Sequence, residues 1–215
     1  IAAHFPPEKT TIARNYVSLE VIDRIVPAPL EKKGVSVIYM GNLERNRGIV
    51  EIVDAAAFFA GTAELWLLGK WESDALEADC KRSAGWANTR YFGFKSPEEA
   101  FAILKSADIG LHCVYPNDYY LKGLPTKLFE YASCGIPAVM TYSALWEKMF
   151  GAFVLFADPK RPEDIAEKIT RLVKDESLRK SMGRTAREYS ENTCNWEREG
   201  KTLVETYRRV NTCRQ

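Results

Sequence analysis

An α/β fold built on a doubly wound parallel sheet is what this sequence predicts, and three observations predict it. From Gly34 onward, short apolar runs alternate with longer segments of helical period. The runs are near-continuously apolar, the pattern of strands covered on both faces. Three of them stop on a glycine, at Gly41, Gly69 and Gly93. About six strands are expected, with helices closing the C-terminal end. Ligands of such sheets sit beyond the carboxyl ends of the strands, near the point where strand order reverses. The three glycines and the loop over 114–125 are expected on that edge.

The elements follow in order. Val35 to Met40 reads as the first strand. Ile49 to Ala60 reads as a helix with Ile49, Ile52, Val53 and Ala56 on one face. Leu65 to Leu68 is the second strand, and Ser73 caps a helix to about Ser83. Arg90 to Phe92 is the third strand. Ser96-Pro97-Glu98-Glu99 then supplies an N-cap, a Pro at the first helical position and an acidic first turn. That helix runs to about Ser106, and Ile109 to Val114 is the fourth strand. A helix over 125–134, the strand Ala138 to Thr141, a helix over 144–150 and the strand Phe153 to Phe156 come next. Pro162 opens a helix to about Val173, and Ser177 to Glu191 and Trp196 to Asn211 read as two amphipathic helices. Residues 1–33, with Pro6, Pro7, Pro27 and Pro29 and no sustained period, read as an arm or linker, and 34–215 as one domain.

Composition bounds the function. Hydrophobic residues make up 46%, enough for a full core. A net charge of +1 argues against a nucleic-acid binder held by bulk charge. The five cysteines, Cys80, Cys113, Cys134, Cys194 and Cys213, are scattered and form no Cys-x-x-Cys pair. That argues against a disulfide framework and a zinc site, and for a reducing compartment. No apolar run approaches the roughly 20 residues of a membrane-spanning helix, and no signal peptide is visible. The chain opens on Ile1 rather than Met, as expected of a processed chain or an excised fragment.

The most informative stretch is Gly123 to Pro137. It reads as a glycine turn, Pro125 at the first helical position, a short helix, a glycine stop at Gly135 and a new strand. The amides of Thr126, Lys127 and Leu128 are then expected as free donors at the positive end of a helix, a ready anion site. Lys127 in that first turn is unfavourable unless an anion is there too. Glu130 follows one turn later. A phosphate binder and a hydroxyl binder at one helix start suit a nucleotide carrying a sugar.

In this order the motifs resemble the C-terminal, nucleotide-sugar-binding domain of retaining GT-B glycosyltransferases, of the glycosyl transferases group 1 or family 4-like kind, over about 35–210. The pieces are Gly41 to Gly48, Leu67-Leu68-Gly69, Tyr91-Phe92-Gly93-Phe94 and Ser106 to Leu111. Lys127 to Tyr131 with Gly135-Ile136-Pro137 is the most diagnostic, and a tail with Trp196 and Tyr207 completes the set. The resemblance implies a Rossmann-like domain, one half of a GT-B fold. It implies that Glu130 holds the ribose hydroxyls and that Arg47 grips the diphosphate. The first of the family's two basic positions falls at Asn42, leaving that contact missing or supplied by Arg45. The glutamate that touches the sugar in the family is replaced by Lys122. The base is expected on backbone groups around Phe94, and Gly41, Gly123, Leu124 and Thr126 complete the donor-binding set.

The chemistry the resemblance implies is transfer of a sugar from a UDP- or GDP-linked donor to an acceptor, in bacterial surface polysaccharide or glycoconjugate synthesis. Arg47 and Lys127 are the catalytic candidates: with the helix amides they would stabilise charge on the leaving diphosphate without a metal. No cofactor beyond the donor is expected, and no nucleic-acid partner. The implied partner is the protein's own N-terminal acceptor-binding domain. Location is expected in the cytoplasm, at the inner face of the cell membrane if the full-length protein associates with it peripherally. The fragment alone is expected to turn over little.

Each residue also has a plainer reading. Arg47 pairs with Glu44 or Glu51, Lys127 and Glu130 face solvent, and Lys122 is a loop charge. His112, inside an apolar strand, reads as a satisfied interior histidine rather than a catalyst. Trp66, Trp86 and Trp146 read as packing residues, while Trp71 lies on the ligand edge. Asp118-Tyr119-Tyr120 either shapes the sugar pocket or is plain loop, and nothing supports a role for His4. Rival functions are a non-catalytic nucleotide-binding module and another GT-B enzyme such as a nucleotide-sugar epimerase. A Rossmann oxidoreductase is disfavoured, because no Gly-x-Gly-x-x-Gly follows Met40.

Overall fold

A computed structural model describes residues 10–212, the side chains of Asp118, Tyr119, Asn211 and Thr212 apart. Strands β1 (Val35–Met40), β2 (Ala63–Leu68), β3 (Thr89–Tyr91), β4 (Ile109–His112), β5 (Ala138–Thr141) and β6 (Val154–Ala157) form one parallel sheet. The order across it is β3-β2-β1-β4-β5-β6. The chain winds outward through β1, β2 and β3, then crosses back so that β4 lies on the other side of β1. Val37 sits in register with Leu65 on one side and Ile109 on the other. The reversal of strand order therefore falls between β1 and β4. Ser36 to Met40 are all buried, so the apolar run is covered on both faces, as its composition requires.

Helices flank the sheet: α2 (Ile49–Ala55), α3 (Asp74–Arg82), α4 (Pro97–Leu104), α5 (Asp118–Lys122), α6 (Thr126–Ser133), α7 (Ala144–Phe150) and α8 (Pro162–Lys174). Beyond them lie α9 (Glu176–Asn192), packed on α6 and α8, and α10 (Trp196–Thr212). The predicted caps hold. Ser73 accepts from the Leu76 amide, and Ser96 with Glu99 forms a reciprocal capping box. Helix α2 is shorter than its periodicity suggests. After Ala55 the backbone tightens into i−3 bonds, Ala57 to Asp54 and Phe58 to Ala55.

Residues 10–33 carry structure that the sequence pattern does not reveal. Leu19–Arg24 is a helix, α1, with Leu19 and Ile22 buried against the domain. Its start is capped from α10: Glu197 accepts from the Ser18 hydroxyl and from the amides of Leu19 and Glu20. Its end is held by Lys105, whose ammonium donates to the carbonyls of Ile22 and Ile25. Arg187 grips Asp23 through two bonds, of 2.8 and 2.9 Å. These partners are remote in sequence, which is why no local period announces the helix.

Candidate functional site

The loops after β1 and β4 meet at the reversal point. Gly48 opens α2 in the left-handed region, with φ of 68°. A Cβ there would stand 2.1 Å from the Cys113 carbonyl oxygen, so only glycine lets the two loops close. The Tyr115 amide then donates to the Asn46 carbonyl at 2.9 Å. Between the loops lies a cleft of about 320 Å³ lined by Arg47, His112, Tyr120, residues 123–127 and Trp146. Other hollows lie at the amino edge, where residues 28–32 run past 105–108. They carry none of the candidate residues.

Helix α6 opens into the cleft, with one correction. Pro125 is the N-cap, at φ −76° and ψ 101°, and Thr126 is the first helical residue. The extended ψ turns the Pro125 carbonyl toward Leu128, whose amide donates to it at 3.0 Å. Leu128 is therefore not a free donor, and the two amides left without an acceptor among the described residues are those of Thr126 and Lys127. The turn before the helix is held by Trp146, whose indole N–H donates to the Gly123 carbonyl at 3.0 Å. Trp146 is 1% exposed, a packing residue that also sets the cleft wall.

Lys127 does not face solvent. It is 8% exposed and reaches back toward β1, with its ammonium 5.5 Å from the centre of the Tyr39 ring and against Gly41. Burial, followed by the charge of Arg47, brings its pKa down to about 8. Arg47 is half-buried and its Nε donates to Glu44 at 2.8 Å. The salt-bridge reading of Arg47 and the cleft-lining reading are thus both realised. Glu130 is half-buried one turn into α6, and burial raises its pKa against the pull of Lys127. Its carboxylate has no hydrogen bond or ion pair among the described residues.

The fold thus brings together Arg47, Lys127, Gly41, Gly123, Leu124 and Thr126, with Glu130 beside them. Other candidates lie apart. Arg45 turns away to Asp79 at 2.6 Å on α3, so its guanidinium is drawn from the cleft by a partner the sequence did not name. The Asn42 amide is spent on Glu44 at 3.0 Å. Lys122 ends α5, exposed and outside the cleft lining. Phe94 is 77% exposed beyond β3, on the same edge but two strands from β1. Trp71 is buried, tilted against Trp86 and Tyr91, and outside the cleft. Tyr120 does line it; the side chains of Asp118 and Tyr119, and all of His4, lie outside the described residues.

His112 is the residue that sequence reasoning undervalued. It is buried as expected, yet its Nδ1 is enclosed without a hydrogen-bond partner among the described residues. Burial above all, then Lys127 and Arg47, holds its pKa down to about 3, so the ring is neutral. The available signal was a single polar side chain ending an apolar strand at the mouth of the site. Among the described residues no three His, Cys, Asp or Glu side chains converge where they could hold a metal. No helix among them is long and apolar enough to cross a membrane.

Comparison with known proteins places this architecture. The family model described as glycosyl transferases group 1 matches residues 23–189. An uncharacterized glycosyltransferase of Methanocaldococcus jannaschii is 25% identical over 186 residues, 83% of this chain and 46% of the relative. Among solved structures, a glycosyltransferase from Rickettsia africae superposes with a TM-score of 0.76 at 13% identity, over 93% of this chain and 57% of that one. HepE from Anabaena, in complex with UDP and glucose, gives 0.75 at 15% identity, over 95% and 58%. Sucrose-phosphate synthase from Thermosynechococcus elongatus gives 0.72 at 19%, over 95% and 53%. These structures share the fold, and the chain spans about half the length of the relatives it matches. With its six-stranded parallel sheet and a cleft at the strand reversal, the chain belongs to the glycosyl transferases group 1 family, as a single Rossmann-like domain.

Proposed function

We propose that this chain is the donor-binding half of a glycosyltransferase that moves a sugar from a UDP- or GDP-linked donor to an acceptor. One observation carries the reading. Two cations, Arg47 and Lys127, line one cleft at the start of α6, where the amides of Thr126 and Lys127 have no acceptor among the described residues; Glu130, whose carboxylate has no hydrogen bond or ion pair among them, lies a turn away. The cations and amides match a diphosphate. The carboxylate matches the ribose hydroxyls, to which it can only accept. HepE from Anabaena, which shares the fold, is in complex with UDP and glucose, and this supports a nucleotide-sugar ligand. The exposed Phe94, further along the edge, marks where a base would extend.

When the glycosidic bond breaks, negative charge grows on the departing diphosphate. Donors already aimed at it stabilise that charge without reorganisation. Arg47 and Lys127 supply the positive charge, so the assistance is electrostatic and needs no metal. The acceptor side belongs to an N-terminal domain of the full-length protein, working at the cytoplasmic face of the membrane on surface polysaccharide or glycoconjugate. WaaG, a glycosyltransferase involved in lipopolysaccharide biosynthesis, shares the fold, in keeping with a glycoconjugate acceptor.

The test is calorimetric titration of the chain with UDP, GDP and ADP, repeated with Glu130→Ala and Arg47→Ala. Saturable binding of one nucleotide, weakened by both changes, is expected and identifies the base. Binding that survives both substitutions unchanged would place the nucleotide elsewhere and overturn the reading.

A further inference from the structure

His112 ends β4, where it pairs in register with Met140 of β5, and it is 6% exposed. Its ring lies 5.5 Å from Trp146, tilted by 54°. No hydrogen bond to the ring exists among the described residues, and Nδ1 is fully enclosed. A buried polar group left unpaired is costly, and native structures keep few of them without a reason. The ring also lines the cleft. Since the enclosed atom is Nδ1, the edge offered to the cleft is the Nε2 side. The neutral ring carries one proton. An orphaned buried N–H is rarer than an under-satisfied acceptor, so the proton belongs on Nε2 and points to the cleft.

What it meets there follows from its neighbours. Arg47, Thr126 and Lys127 line the same space, the last two with helix-start amides that have no acceptor among the described residues. A ligand that satisfies several converging donors is an oxyanion with several oxygens. We infer that His112 is a further donor of the diphosphate cradle, its Nε2–H bonding a phosphate oxygen that Arg47 and Lys127 neutralise. Trp146 lies tilted against the ring. This rests on the donor-site reading above and adds to it a neutral, orienting contact. The cations attract the phosphate from any direction, whereas a buried N–H accepts an oxygen along one line.

Inorganic pyrophosphate tests the cradle without reference to any base. The chain, His112→Leu and His112→Gln are titrated calorimetrically with pyrophosphate, UDP and GDP, with uridine as a phosphate-free control and a thermal melt of each. His112→Leu is expected to weaken pyrophosphate and the preferred nucleotide about tenfold, since a bond to a charged acceptor is lost. His112→Gln keeps an N–H donor and is expected to stay within about threefold of the native chain. Uridine is expected to be unaffected. A second readout needs no substitution. The chain has two histidines, and pyrophosphate is expected to shift the ring ¹⁵N resonances of His112.

Native-strength pyrophosphate binding by His112→Leu, or a ring signal that pyrophosphate leaves in place, overturns the inference alone. Equal losses in both variants that track their melting temperatures would make His112 merely structural, and also overturn it. If the native chain binds no nucleoside diphosphate, the donor-site reading fails and this inference with it.

Discussion

The ammonium of Lys127 fills the space in which any residue other than glycine at position 41 would carry its Cβ. A Cβ built on Gly41 would stand 2.5 Å from Cε and 2.6 Å from Nζ of Lys127. Gly41 also holds a φ of 129°, which side-chain-bearing residues rarely adopt. Gly41→Ala is therefore expected to act twice. Backbone strain costs roughly 1–3 kcal/mol, read as a fall of several degrees in melting temperature. The displaced Lys127 weakens pyrophosphate about tenfold, a loss of the size expected for one charge-assisted bond. Unchanged affinity in the folded variant would remove Lys127 from the cradle.

Lys127→Met is expected to stabilise the chain while weakening anion binding. Lys127 titrates near 8 in the folded chain against an ordinary value of 10.5. Between those values the unfolded chain binds more protons, so stability rises with pH there. Below about pH 8 the charge is present in both states and its burial penalty is full, about 3 kcal/mol. Methionine removes that penalty without emptying the space beside Tyr39. Urea denaturation at pH 7 should show the gain, and it should vanish above about pH 10.5. No gain at pH 7 would contradict a penalty on the buried ammonium.

Glu44→Gln is expected to tighten pyrophosphate binding a few-fold. Glu44 occupies the Nε of Arg47 at 2.8 Å and competes with an incoming anion. Glutamine keeps an oxygen that can accept from Arg47 while losing the charge, so the fold is expected to tolerate the change. Weaker binding in this variant would mean that Glu44 positions Arg47 rather than restrains it.

Glu130→Ala separates the two halves of the proposed ligand. Nucleoside diphosphate affinity is expected to fall about tenfold, and pyrophosphate affinity to hold or rise as a negative charge near Lys127 is removed. Equal losses for both ligands in calorimetry would place Glu130 on the phosphates or in the fold, not on the ribose.

Much of the fold was legible because its signals are local. The capping box at Ser96 and Glu99 needs four consecutive residues, and each strand needs only its own apolar run. The helix α1 was illegible for the opposite reason: its caps come from Glu197 and Lys105. In the site, Arg47 and Lys127 were legible from their places beside a glycine and a helix start. Arg45 was not, because Asp79 on α3 claims it.

By itself the sequence determined a parallel α/β sheet, the turn that opens α6 and the residue types that line the cleft beside it. Period, caps and glycines act through the backbone of neighbouring residues, and the order of residues specifies them. Only the tertiary structure decided that Lys127 turns back over Tyr39 and that Pro125 caps α6 rather than entering it. It alone left the Nδ1 of His112 enclosed beside the cleft without a partner among the described residues. Those outcomes depend on which side chains from distant segments reach the same space first, and on the burial that raises or lowers the cost of a charge there.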